Sequence, residues 1–315
     1  FDEWFDKKLR TQVYSQYAEL ETVNKQIAEK KPRGSAFAEL ETMIGLTEAK
    51  AVINQALDFY KAQKLFRDKG VASSRPAMHM VFTGNPGTAK TSVARLFARI
   101  MKENGLLSRG DLYEVGRADL VGKYVGHTAP LVKSKFRNAK GSVLFIDEAY
   151  SLVDDRDGLY GDEAINTIVQ EMENTREDMV VIFAGYPDKM EGFLQKNPGL
   201  RSRIAFHVPF ADYNAGELYE ITELLAKGKS LTLGLDVREK LVPIYESALT
   251  RNDFGNGRFA RNLVEKAQMK QASRLVHTDD LDSVTKDDIT TLVAEDFEAP
   301  METAEPPKRK IGFVA

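Results

Sequence analysis

The residues best placed to do chemistry are Gly84-Asn85-Pro86-Gly87-Thr88-Ala89-Lys90-Thr91. A glycine-rich turn ending in Lys-Thr can wrap phosphates in backbone N–H groups. It sets a lysine ammonium on the outer phosphates and offers a hydroxyl to Mg²⁺. The turn follows an apolar run from Met78 to Phe82, and Val93, Leu96, Phe97, Ile100 and Met101 then repeat at helical spacing, so the loop sits between a strand and a helix. Farther on, Val143, Leu144, Phe145 and Ile146 lead into Asp147 and Glu148. A buried parallel strand has this composition, and acids at its C-terminal end reach the sheet rim where open α/β sheets bind ligands. Alone, such a pair usually marks a strand ending at solvent; downstream of a phosphate loop it completes a hydrolytic site. The expected site binds a nucleotide through Asn85, Pro86, Gly87, Thr88, Ala89, Lys90, Thr91 and Ser92. Thr91 and Asp147 hold Mg²⁺, and Glu148 aligns and polarises the attacking water.

One position departs from the usual G-x-x-x-x-G-K-[ST] pattern, because Ala89 stands where the second glycine belongs. A methyl group there costs on the order of 1 kcal/mol if φ is positive and little otherwise.

The elements that must hold these groups alternate in type. Strands are expected at 112–115, 179–184 and 204–208 besides the two already named, with helical patterns between them. Repeated β-α units imply a parallel sheet with helices on both faces. From Asp212 onward strands disappear. Helical stretches at 216–227, 237–250 and 258–275 suggest a small helical domain. The expected division is an N-terminal amphipathic helix and linker at 1–37, a nucleotide-binding domain at 38–212, a helical domain at 213–297, and a linker and tail at 298–315. In the first segment Phe1, Phe5, Leu9, Val13, Leu20, Val23 and Ile27 recur at helical spacing, either docking a partner or packing on their own domain.

Composition narrows the function class. The chain has 315 residues, 43% of them hydrophobic and 29% charged, enough for one large and one smaller domain. No apolar run approaches the ~20 residues of a membrane span, and the start lacks a secretory pattern. With no cysteine, disulfide and thiolate chemistry are excluded, and a cytoplasmic location is expected. A net charge of −3 argues against a nucleic-acid surface. His79, His127, His207 and His277 lack zinc-ligand spacing. The chain opens on Phe1 rather than Met, as a trimmed or partial chain would.

Further runs carry a resemblance. They are Ala118 to Pro130, Leu144 to Leu152, Ala184-Gly185-Tyr186, Asn197 to Ile204, and Gly255 to Asn262. With the phosphate loop and the Asp-Glu strand they resemble an AAA+ ATPase: a five-stranded parallel P-loop core plus a helical lid. Within that superfamily they are similar to the group of the red-type rubisco activases, the stage V sporulation protein K proteins and the type VII secretion ATPases. The resemblance covers residues 39–297. Ala89 and the extra N-terminal segment depart from the activases and lean toward a sporulation-type or other bacterial relative.

The resemblance implies a ring, expected to be a homo-hexamer, with each active site between subunits. It makes Arg203 the arginine finger given to a neighbour, with Arg201 as rival, and Arg258 the lid arginine that senses the γ-phosphate. Met43, Ile44 and Gly45 match the segment that packs on adenine. The usual polar sensor position reads Gly185-Tyr186-Pro187, with Tyr186 as substitute. Lys123, Tyr124 and Val125 match a central pore loop that grips an extended polypeptide, and residues 154–158 are a second candidate loop. The expected function is remodelling of a protein substrate driven by ATP hydrolysis. The alternatives are a nucleotide-gated binding module and a nucleic-acid motor, the latter disfavoured because, apart from Lys123, the candidate pore loops are not basic.

Overall fold

The computed structural model describes residues 35–71, 78–124, 126–153, 159–251, 254–278 and 283–299. The N-terminal helical pattern, Val125, the loop at 154–158 and the tail from 300 lie outside the described residues.

Five parallel strands form one sheet: β1 (His79–Gly84), β2 (Leu112–Val115), β3 (Val143–Ile146), β4 (Val180–Gly185) and β5 (Ile204–Phe210). Their order is β2-β3-β4-β1-β5, so the strand that feeds the phosphate loop lies between β4 and β5. All five match the strands expected from sequence. Side chains alternate between two apolar layers, as strand geometry requires. Met80, Phe82, Phe145, Ile182, Ala184 and Val208 enter one, and Val81, Leu144, Ile146, Val181 and Phe183 the other.

The first layer is covered by α1 (Ser35–Thr42), α2 (Thr47–Asp68) and α3 (Lys90–Glu103). α1 buries Ala36, Phe37 and Leu40, so the expected boundary at 37/38 falls inside a packed helix. All five apolar residues that marked α3 in the sequence are buried. Between β2 and β3 lie α4 (Arg117–Leu120) and α5 (Thr128–Asn138), and α6 (Leu159–Asn174), α7 (Pro187–Lys196) and α8 (Pro198–Arg201) complete the second side.

The helical domain contains α9 (Ala215–Gly228), α10 (Val237–Leu249), α11 (Gly257–Val276) and α12 (Lys286–Thr290). Asn214 starts α9 with a reciprocal capping box, its Oδ1 accepting from Glu217 N–H at 2.9 Å. The expectation that strands end at Asp212 is corrected here. Thr232 and Leu233 (β6) pair in parallel with Thr291 and Leu292 (β7). Two-residue strands carry no periodicity to detect. Gln271 fastens them, its amide donating to the carbonyls of Asp288, Ile289 and Thr291 at 3.0, 3.1 and 2.8 Å.

Among the described residues no helix is long and apolar enough to cross a membrane.

Candidate active site

A cleft of about 510 Å³ opens between the C-terminal rim of the sheet and the lid. Its polar end collects Gly84, Pro86, Gly87, Ala89, Lys90, Thr91, Ser92, Asp147, Glu148 and Arg258, which the sequence places far apart. Its apolar end is built by Met43, Ile44, Tyr213, Ile221, Leu224 and Leu225. Gly45 is the turn after that segment, at φ +60°. Lys50 ties the segment down, its Nζ donating to the carbonyls of Glu41 (3.0 Å) and Met43 (2.5 Å). The lid helix α9 supplies Ile221, Leu224 and Leu225, so neither domain alone makes the cleft.

The loop is pinned from within. Thr88 is buried and donates to the Asn85 carbonyl at 2.8 Å. Lys90 Nζ donates to the carbonyls of Gly84 and Asn85, both at 2.8 Å. Burial holds the Lys90 ammonium below its ordinary value, opposed chiefly by the charge of Asp147. A desolvated ammonium facing loop carbonyls is primed for a polyanion. At Gly87 φ is +75°, and a β-carbon would run into the Gly255 carbonyl oxygen and meet Arg258 N at 2.9 Å. Glycine is required there by both conformation and lid contact.

Ala89 adopts φ 66° and ψ 19°, the left-handed conformation that the missing glycine would take without strain. Glu148 is also left-handed, at φ 48°, and its N–H donates to Asp147 Oδ1 at 3.0 Å. That turn lifts both carboxylates off the strand to exposed positions. Tyr150 lies behind them. Burial, with smaller contributions from Glu148 and Tyr186, pushes its phenol up to about 12. Its ring is 6.0 Å from that of Tyr186, and Lys189 Nζ sits 4.6 Å over the Tyr150 ring. Tyr186 itself lines the cleft, at the position where the resemblance places a polar sensor.

The donor set fits a hard cation. The Thr91 hydroxyl and the Asp147 carboxylate are oxygen ligands of the kind Mg²⁺ takes, and both line the polar end of the cleft.

Arg203 and Arg201 lie elsewhere. Ile204, the residue after Arg203, pairs with His79, whereas Phe210 pairs with Gly84 at the loop end. Arg203 therefore sits near the opposite end of β1, roughly 17 Å from the loop at the usual strand rise, whereas Arg201 lines a separate pocket with Val81, Thr83 and His207. Arg203 donates to the Gly199 carbonyl at 3.0 Å, and its Nε lies 3.7 Å from Glu173. Arg201 is exposed.

Lys123 and Tyr124 fall between α4 and α5. Tyr124 is 67% exposed, touched edge-on by the His127 ring at 5.4 Å between centroids, so it is not a core residue of a neighbouring helix. Gly122 N–H donates to the buried Thr128 hydroxyl at 3.1 Å, anchoring one side of the loop.

Sequence reasoning missed Tyr213, Ile221, Leu224, Leu225 and Arg261 as lining residues. The helical periodicity of α9 was visible, but which stripe faces the cleft depends on how the lid sits.

Comparison with known proteins fits this geometry. Residues 80–210 match the model for the ATPase family associated with various cellular activities, and residues 214–307 match the AAA lid domain. The ribulose bisphosphate carboxylase/oxygenase activase of Cyanidioschyzon merolae is 42% identical over 81% of this chain and 87% of its own. The CbxX protein of Cupriavidus necator is 42% identical over 81% and 80%, and a CfxQ homolog of Galdieria sulphuraria 44% over 81% and 84%. These names lie on the activase side of the resemblance and lend the sporulation-type leaning no support. Two solved structures share the fold. The FIGL-1 AAA domain in complex with ADP has a TM-score of 0.56 at 23% identity, over 81% of this chain and 80% of that one. A Thermotoga maritima RuvB mutant scores 0.55 at 17%, over 82% and 69%. Identity above 40% across four-fifths or more of both chains means that this chain belongs to the AAA+ ATPases, in the group of the rubisco activase, CbxX, CfxQ and CbbX proteins.

Proposed function

We propose that the chain hydrolyses ATP as one subunit of a homo-hexameric ring and uses the energy to remodel a protein that Tyr124 grips in the central channel. The observation that carries the reading is a separation. Lys90, Thr91, Asp147, Glu148 and Arg258 share one cleft, while Arg203 lies at the far end of β1, beyond reach of its own cleft. A head-to-tail ring brings one subunit's far end to the next subunit's cleft.

In this reading the loop amides and Lys90 hold the phosphates, and Ile44 and Gly45 border the base. Glu148 orients the attacking water and takes its proton, and Arg258 contacts the γ-phosphate from the lid. Arg203 of the adjacent subunit neutralises charge developing on the transferred group, with Arg201 as the rival for that role. Mg²⁺, held by Thr91 and Asp147, would screen the phosphate charge. The aromatic ring of Tyr124 offers large contact area at low entropy cost, which suits a grip without sequence preference, and Lys123 and Val125 flank it. The names of the relatives make rubisco the first protein substrate to assay.

The test is ATP turnover per chain against protein concentration, with Glu148→Gln beside it. Turnover per chain should rise and saturate. Glu148→Gln should keep ATP binding and lose on the order of 10²–10⁴ in rate, the usual share of a general base. Unchanged turnover in Glu148→Gln refutes the assignment. ATP binding with flat background turnover at every concentration leaves a nucleotide-gated binding module, the reading that the strained Ala89 favours.

A further inference from the structure

The lid and the phosphate loop are joined by a polar cluster centred on Asn256 and Asp212, two residues that none of the assigned roles uses. Asn256 is fully buried, in the strained conformation φ 47°, ψ −124°. Its Oδ1 accepts from Tyr213 N–H at 3.0 Å. Its Nδ2 donates to Asp212 Oδ1 at 2.7 Å and to the Pro86 carbonyl at 3.3 Å. Asp212 also accepts from Asn85 Nδ2, at 3.0 Å on Oδ1 and 2.9 Å on Oδ2. Beside this cluster Gly257 N–H donates to the Gly87 carbonyl at 3.1 Å.

The orientation of the Asn256 amide is fixed by its partners. Tyr213 N–H can only donate and the Pro86 carbonyl can only accept, so a flipped amide would oppose like groups at both ends. Three separate pieces of chain meet at one side chain: the phosphate loop, the connection between β5 and α9, and the start of α11. Asp212, the shared acceptor, is a carboxylate, and hydrogen bonds to a charged acceptor are the stronger class. A buried amide with all its partners inside a network is costly to disconnect.

We propose that Asn256 is a positioning residue that latches the phosphate loop to the lid, with Asp212 as the hub, so that bound nucleotide leaves only when this latch opens. The proposal rests on reading the cleft as a nucleotide site. It assigns to Asn256, Asp212 and Asn85 a control over residence time that is separate from hydrolysis. Asn256 holds Pro86 and, through its own backbone geometry, sets where Arg258 enters the cleft two residues later.

The probe is mant-ADP, followed by stopped-flow release on the full chain, with melting temperature recorded for each variant. Asn256→Asp keeps the shape and the acceptor for Tyr213 but sets a carboxylate against Asp212 and the Pro86 carbonyl. It should release mant-ADP about 10-fold faster or more, equivalent to about 1.4 kcal/mol or more. Adding Asp212→Asn puts an amide back opposite the carboxylate and should return release to within about 3-fold of the parent chain, a rescue expected only if the pair interacts directly. Asp212→Ala alters an exposed side chain, so it decides the matter if Asn256→Asp melts below assay temperature; release should again be faster. Release within about 2-fold of the parent in both single variants overturns the latch while leaving the nucleotide reading intact. Faster release in Asn256→Asp without rescue, at parental melting temperature, also overturns it. Failure of the parent chain to bind mant-ADP sinks the nucleotide reading and the latch together.

Discussion

His79 offers the sharpest quantitative test of the packing beneath the site. It is 1% exposed at the start of β1. Its Nδ1 accepts from Val181 N–H at 3.0 Å, which leaves the proton on Nε2, facing the Met172 carbonyl at 3.4 Å. Burial lowers its pKa from 6.5 to about 4, with the charge of Arg203 adding a small push. Folded His79 therefore binds a proton less tightly than the unfolded chain does. Its contribution is complete above pH 6.5 and is lost as pH falls through 4. Over the whole window this amounts to roughly 3 kcal/mol, and to about 1.4 kcal/mol between pH 7.5 and pH 5.5, where few carboxylates titrate. Urea unfolding at those two pH values measures it. His79→Gln can still accept from Val181 but has no proton to gain, so its loss over the same interval should be smaller than the parent's by about 1.4 kcal/mol. Equal losses in parent and variant would refute the claim that the imidazole is held neutral by burial.

Arg203→Ala should keep ATP binding and lose about 10³-fold or more in turnover. Mixing it with Glu148→Gln subunits should restore activity, because some clefts then pair an intact Glu148 with an intact Arg203; no recovery in mixed rings would remove the trans role, and Arg201→Ala tests the rival. Ala89→Gly relieves the left-handed alanine and should stabilise by roughly 0–1 kcal/mol in nucleotide-free melts, after the greater entropy of unfolded glycine is subtracted. Ala89→Val should destabilise instead, because a branched side chain tolerates that conformation badly. Gly87→Ala should weaken mant-ADP binding about 10-fold or more, since its methyl would collide with Gly255 and Arg258 across the lid boundary; parental affinity would show that the lid does not close on the loop as described.

Much of the frame was legible because it is written in local patterns. The β1 run, the Lys-Thr step and the apolar stripe of α3 are contiguous, and each reads as a strand, a loop or a helix without outside information. Asp147 and Glu148 were legible for the same reason, as acids ending an apolar strand. What stayed hidden depends on contact between distant segments. Asn256 meets Pro86 across 170 residues, and nothing in Gly255-Asn256-Gly257 says which loop it will touch. The φ of Ala89 could be posed only as a condition, because position in the loop decides it and residue type does not. The apolar wall supplied by Ile221, Leu224 and Leu225 belongs to a helix whose inward stripe is fixed by the lid's placement.

The strand order has a consequence for how the chain is made. Of the five strands in the sheet β1 leaves the ribosome first, yet its partners there are β4 and β5. β2 and β3 can pair with each other as soon as β3 emerges. β1 must wait until Ile182, its first partner residue, is synthesised about 100 residues later, a delay of roughly 5–20 s at usual translation rates. Throughout that interval a strand with Met80, Val81 and Phe82 destined for complete burial has both edges open. The element that carries the phosphate loop is thus the one most in need of protection during synthesis, and slow translation or loss of chaperone cover should send nascent chains to aggregation through β1 before a nucleotide cleft exists.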